Sequence, residues 1–291
     1  MPLINTSVLM SDADNFSNLQ AINPYYHHEP LDLAKAILEH ASIYNLIRQA
    51  GITVTKVPSP IDCQDGVYTA NWALVRGDTA ILARLPGARH AEEAYAEKVL
   101  TALGKTVLHV PDGLKFSGQG DALACGNYLF CGSGYRSDEA AQAFAADTLG
   151  YERIQLQANP QLDEAGEAVI NAVSGWADSF FYDIDLALAI IKAPGDGIKG
   201  LIAYCPAAFM PASRAFLAAF EGVDKIEVSL AEAQTAFATN MVSTGEIVVM
   251  SAHAPELASA LRAHGLTILS PAISELAKGG GYIRCTTLTL S

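Results

Sequence analysis

The stretch NWALVRGDTAILARL, residues 71–85, decides the fold. Its strand-like apolar residues lie on either side of Gly77-Asp78, a two-residue turn type in reversed order, and the segment therefore reads as a hairpin. A helical pattern follows over 91–103, and then the strand TVLHV over 106–110. Strand, strand, helix, strand makes one ββαβ-like unit. The same order can be followed outward in both directions. Upstream, LDLAKAILEHASIYNLIRQA (31–50) has helical spacing, stops at Gly51 and is followed by the β-branched ITVTKV (52–57). Downstream, a hairpin around Gly126-Asn127 precedes the helical EAAQAFAADTLG (139–150). DLALAII (185–191), GLIAY (200–204), KIEVS (225–229), EIVVMS (246–251), LTILS (266–270) and IRCTTLTL (283–290) read as strands, interleaved with helical AEAQTAFA (231–238) and APELASALRAHG (254–265). Units of roughly 50 to 60 residues recur about five times, a period near the upper end for repeat architectures. No Pro/Ser-rich linker divides them, so residues 1–291 are expected to form a single α/β domain.

Composition narrows the function classes. The chain has 18 Lys+Arg against 31 Asp+Glu, a net charge of −13, with 51% hydrophobic and 17% charged residues. That apolar content excludes disorder for most of the chain. The acidic balance argues against nucleic acid, whose phosphates need a Lys/Arg surface. The N-terminus carries no basic, apolar leader, and no run approaches the roughly 20 apolar residues of a membrane span. The five cysteines are odd in number and lack CxxC spacing, which argues against a disulfide framework or a structural zinc site. A cytoplasmic protein with mostly buried thiols is expected, Cys125 and Cys131 among them.

Five segments carry candidate chemistry. GGGYIRCTTLTLS (279–291) places Cys285 after three glycines, at the start of an alternating strand, where a thiol can act as a nucleophile. A free cysteine is more commonly a small buried hydrophobe, so the loop alone leaves both readings open. DGVYTAN supplies Asp65 and Asn71, a carboxylate and an amide suited to a planar multi-donor cation; an Asx-turn at Asp65 is the plain alternative. FSGQGD (116–121) has the glycines of a phosphate loop but neither GK[ST] nor a helix start, which excludes that reading. In GSGYRSD (132–138), Arg136 stands beside a helix start, as an anion site or as an exposed cap residue. In DSFFYDID (178–185), Asp183 and Asp185 would point to one strand face, which is costly unless they hold a cation or share a proton. The His27-His28 pair has no partner cluster at ligand spacing and reads as a solvated loop.

In this order the segments resemble the guanidino-group-modifying enzymes of the pentein fold, which include dimethylarginine dimethylaminohydrolases, arginine deiminases, arginine dihydrolases and amidinotransferases. The resemblance spans nearly the whole chain: DGVYTAN, FSGQGDAL, GSGYRSD, FFYDIDLAL, YCPAAF and KGGGYIRCTTLTL each match a family segment. It implies an αβ propeller of five units with pseudo-fivefold symmetry and a C–N hydrolase acting on the guanidine or amidine of an arginine-like molecule. Cys285 is then the nucleophile. Asp65, Asn71 and Asp185 hold the guanidinium, Arg136 takes an α-carboxylate, and Asn23 in INPYY is an N-terminal substrate contact. Two positions depart from the family: its general-base His falls on Asp183, and its guanidinium-binding Glu falls on Ser117. Asp183 becomes the expected base, and Ser117 and Asp121 the expected lining of the second loop. His27, His28 and His253 are the histidines that could approach in space. An amidinotransferase, or a silent binding protein that keeps an arginine-like pocket, is the alternative. The resemblance implies a small cationic amino-acid-like substrate, no metal and no organic cofactor. It leaves room for a homodimer.

Overall fold

The computed structural model describes residues 3–26, 29–195 and 197–291, so the His27-His28 pair lies outside the described residues. Strand β1 (Ser7–Ser11), helix α1 (Leu33–Gln49) and strand β2 (Thr53–Val57) open the chain. Three complete units follow: β3 (Ala73–Arg76), β4 (Thr79–Leu82), α2 (His90–Ala102) and β5 (Thr106–His109); β6 (Ala122–Cys125), β7 (Tyr128–Gly132), α3 (Glu139–Leu149) and β8 (Glu152–Leu156); β9 (Leu188–Lys192), β10 (Gly200–Tyr204), α4 (Pro211–Ala219) and β11 (Val223–Glu227). After a short helix α5 (Leu230–Ala236) a fourth complete unit follows: β12 (Val242–Ser243), β13 (Ile247–Val249), α6 (Pro255–Ala263) and β14 (Thr267–Leu269). The last strand, β15 (Leu288–Thr289), returns to β1.

Among the described residues the strands form five three-stranded sheets. In each, the middle strand pairs antiparallel with one neighbour and parallel with the other. The parallel pair needs a long crossover, which the helix supplies, while the antiparallel pairs of the later units need only a turn or short loop. Gly77 at φ +57 and Gly126 at φ +62 make the two tight turns that the sequence indicates. The first sheet takes β15 from the far end of the chain, so both termini share it.

Two strand assignments need correction, and both concern the site. β9 starts at Leu188, not at Asp185, because Ile184–Leu186 closes a 3-10 turn. The Ile184 N–H donates to Asp121 Oδ1 at 3.0 Å, which holds that turn against the β-propensity of the segment. Asp183 and Asp185 are therefore not neighbours on one strand face. Likewise β15 covers only Leu288–Thr289, and Cys285 lies in the turn before it. There the Thr286 and Thr287 hydroxyls donate back to the carbonyls of Ile283 and Arg284, at 2.8 and 2.9 Å, competing with the ladder.

The strands β3, β6, β9 and β15, with Thr239 and Met241 just before β12, line a cavity of about 350 Å³ whose wall includes Gln119, Asp185 and Arg284. Asp185, which is singled out above, and its neighbours Gln119 and Arg284 meet this cavity from the backbone just ahead of β9, β6 and β15. No helix among the described residues is long and apolar enough to cross a membrane.

Candidate active site

Apart from Asn23 and Arg136, which lie in the loops leading to α1 and α3, the candidate side chains sit on irregular backbone ahead of β3, β6, β9 and β15. Each of these inner strands pairs antiparallel with the middle strand of its sheet. Asn71 is in the 3-10 turn Thr69–Trp72 before β3, not at a strand start. Asp121 directly precedes β6, Asp183 caps and Asp185 lies within the 3-10 turn before β9, and Cys285 precedes β15. Irregular backbone frees side chains from strict alternation, so several can converge.

They do converge. Asn71 Nδ2 donates to Asp183 Oδ2 at 2.7 Å and to Ser117 Oγ at 2.9 Å. Its orientation is fixed from behind, because Arg89 Nη1 can only donate and meets Asn71 Oδ1 at 2.8 Å. Arg89 is itself buried and paired with Glu92 at 2.7 Å, and Trp72 Nε1 donates to the same carboxylate at 3.1 Å. Asp65 accepts from Tyr26 OH at 2.6 Å and Gln64 Nε2 at 3.0 Å, and Arg89 Nη2 donates to its carbonyl at 3.2 Å. Cys285 Sγ lies 3.5 Å from Asp185 Oδ2.

The flanks are built by aromatic residues and the glycine triplet. Arg136 stacks its guanidinium 4.0 Å over the Tyr182 ring and donates to the Ile22 carbonyl at 3.0 Å. Tyr182 OH donates to Gly280 O at 2.8 Å, and Asn23 Nδ2 to Gly279 O at 3.0 Å. A Cβ at Gly280 would collide with Asn23 Oδ1, and one at Gly279 with Tyr68 OH. Glycine is thus required here by close packing, as the sequence suggests.

The electrostatics are dominated by buried carboxyls, which can receive a cation. Asp65, Asp121, Asp183 and Asp185 are all buried. Asp121 Oδ2, Asp183 Oδ1 and Asp185 Oδ1 have no hydrogen-bond partner among the described residues. Burial first, and then the neighbouring Asp183 charge, push the Asp121 and Asp185 carboxyls well above the ordinary range, with Arg284 partly offsetting the shift at Asp185. Burial and the Asp185 charge likewise push the Cys285 thiol well up. A cation entering beside these carboxyls favours their ionised forms and so opposes the upward shifts. By contrast, Cys125 and Cys131 are plain core thiols, and burial pushes Cys125 up to about 12.

No histidine among the described residues hydrogen-bonds to these side chains, and His253 only donates its backbone N–H to Ser251 Oγ at 3.2 Å. No group of side chains suited to a metal ion occurs among the described residues. Sequence reasoning missed Tyr26, Arg89, Asn240 and the Gln119–Arg284 pair (2.9 Å). Arg89 carried a readable signal, an Arg with Glu at i+3 opening a helix. Asn240 lies in ATNMVSTG, ahead of a two-residue strand with no periodicity to mark it.

Residues 11–170 match the family model described as N,N dimethylarginine dimethylhydrolase, eukaryotic. The chain is 32% identical to an N(G),N(G)-dimethylarginine dimethylaminohydrolase from Mycobacterium tuberculosis, over 94% of this chain and 82% of that one. Among solved structures it resembles the substrate-bound N-terminal domain of ArgZ, an arginine dihydrolase from the ornithine-ammonia cycle in cyanobacteria. The TM-score is 0.84 at 26% identity, covering 98% of each chain. A second structure of that domain, covalently bound to a reaction intermediate, matches at TM-score 0.83 and 26% identity, over 98% of this chain and 97% of that one.

Proposed function

The chain belongs to the dimethylarginine dimethylaminohydrolase family, within the pentein superfamily, and from that premise we propose that it hydrolyses the guanidino group of an arginine-like amino acid through a covalent bond to Cys285. The observation that carries this reading is the Cys285 thiol 3.5 Å from Asp185, behind a buried cluster of carboxylates with unpaired oxygens. An apolar core would exclude such a cluster, because unpaired buried carboxylates cost several kcal/mol in order of magnitude. A guanidinium supplies both the charge and the donors they lack.

In this reading Asp65, Asp121, Asp185 and Asn71 orient the guanidinium, with Ser117 widening the second loop where a longer acid is absent. Arg136 receives the α-carboxylate, and Asn23 holds the glycine loop against the substrate. As the cation enters, Cys285 gives its proton to Asp183, and the thiolate attacks the guanidino carbon. A C–S bond forms, a C–N bond breaks, and the leaving amine takes that proton from Asp183, which is left ionised. Asp183, whose Oδ1 is free while Asn71 fixes Oδ2, accepts a proton from the water that then attacks the amidino-thio carbon. The C–S bond breaks, the ureido product leaves, and the departing thiolate takes back the proton that Asp183 received from the water.

The five sheets are taken to close into a propeller within one domain over 1–291. Supporting this are the packing of β6 on β9, β9 on β12 and β15 on β3, and the bond from Asn5 Nδ2 to Ser243 O at 2.8 Å. The all-free cysteines fit a cytoplasmic setting. Incubating the protein with L-arginine and with dimethylarginine, and following ammonia, dimethylamine and ureido product by mass spectrometry, tests the function. Release of product from neither compound, nor from other guanidino acids, would leave a binding protein instead.

A further inference from the structure

The inner strands of the five sheets share a layout, and four of them are preceded by a residue already assigned: Asn71 before β3, Asp121 before β6, Asp185 before β9 and Cys285 before β15. The fifth position, two residues before β12, is Asn240, which is completely buried. Its side chain is committed to the nucleophile at both ends. Oδ1 accepts from the Cys285 backbone N–H at 3.1 Å, and Nδ2 donates to Cys285 Sγ at 3.1 Å. The amide orientation is forced by chemistry. A backbone N–H can only donate, so the oxygen must face it, which leaves the NH₂ facing sulfur.

The surrounding structure holds Asn240 rigidly. Its N–H donates to Phe237 O at 2.9 Å, and its carbonyl accepts from Arg284 N at 3.4 Å. Phe237 ends α5 in the left-handed region at φ +50 and stacks on Tyr282 at 5.2 Å. The same stack therefore ties the fourth unit's loop to the loop that carries Cys285.

We propose that Asn240 is a catalytic residue of the Cys285 reaction, its side-chain NH₂ holding the thiolate before attack and again when the C–S bond breaks. The inference rests on the reading of Cys285 as nucleophile. Around that sulfur Asp185 opposes the anion, and Asn240 is the neutral side chain that donates to it. A preorganised donor aimed at a developing charge favours the charged form at no reorganisation cost.

The test is the pH dependence of Cys285 alkylation by iodoacetamide, read on the Cys285 peptide, in the wild type, Asn240→Ala and Asn240→Asp. Turnover and melting temperature are measured alongside. Removing the donor in Asn240→Ala raises the alkylation midpoint by about one pH unit and lowers turnover about a hundredfold. Asn240→Asp keeps the acceptor for the Cys285 N–H, and hence the structural bond, but sets an anion against sulfur; its midpoint rises further. If Asn240→Ala does not fold, Asn240→Asp carries the test. A wild-type midpoint and turnover in a folded Asn240→Asp would reduce Asn240 to a structural bond and overturn the proposal. Turnover that survives Cys285→Ala would instead remove the nucleophile reading itself, so the two failures are separable.

Discussion

Cys285→Ala is the sharpest change at the residue scale. The thiol is buried and partnered by Asn240 and Asp185, so its loss leaves a donor unpaired and costs about 1–2 kcal/mol. The fold persists and turnover vanishes; melting curves beside a turnover assay check both. Asp183→Asn preserves shape, yet an amide cannot take up the proton of the attacking water. It suppresses hydrolysis while substrate binding, followed by calorimetry, stays within about tenfold. Arg136→Lys keeps the charge but loses the planar fork and its stack on Tyr182. Affinity for L-arginine therefore drops, while agmatine, which lacks the carboxylate, binds weakly to both forms. Equal wild-type affinity for the two ligands would detach Arg136 from the carboxylate. The sequence made most of these residues legible because Cys285, Arg136, Asp65 and Asp121 stand in Gly-flanked segments, and Asp183 and Asp185 are charges in an otherwise apolar run. Asn240 and Tyr26 stayed hidden, since a lone amide or tyrosine in a short loop has no pattern to betray it.

At the scale of elements, the hairpins and helices were readable because turn chemistry and 3.6-residue spacing are local. The ends of β9 and β15 were not, because a long-range bond from Ile184 to Asp121 and threonine back-bonding decide them. Alternation in sequence cannot report a partner far along the chain. The glycine triplet was legible as a need for space, and the structure shows which space. Gly280 adopts φ +81 and leaves no room for a Cβ beside Asn23. Gly280→Ala costs about 1–2 kcal/mol in backbone strain alone. Because it also displaces Asn23, it lowers turnover more than it lowers the melting temperature. A variant with full activity and reduced stability would separate the loop from the site.

Across the whole molecule, five three-stranded sheets repeat one pattern, and in the proposed reading the loops ahead of their inner strands bring residues from 65 to 285 to one site. The recurrence was visible as element order; the sharing of the first sheet by both chain ends was not, because pairing between β1 and β15 leaves no local trace. The site's charge gives a global signature. The folded protein holds protons on Asp121 and Asp185 that the unfolded chain releases at ordinary carboxylate pH. Its stability therefore falls as pH rises from that range through the raised values, and a bound cation flattens the slope. Binding of a guanidino ligand in that window releases protons, seen by calorimetry in two buffers of different ionisation enthalpy. Proton uptake would reverse the assigned charges.

The central claim is covalent catalysis at Cys285, and intact-protein mass spectrometry after acid quench of a turnover mixture addresses it most directly. The account predicts an adduct equal to the substrate less its leaving amine, confined to the Cys285 peptide and absent from Cys285→Ala. Turnover by Cys285→Ala at the wild-type rate, with no adduct on the wild type, would contradict it.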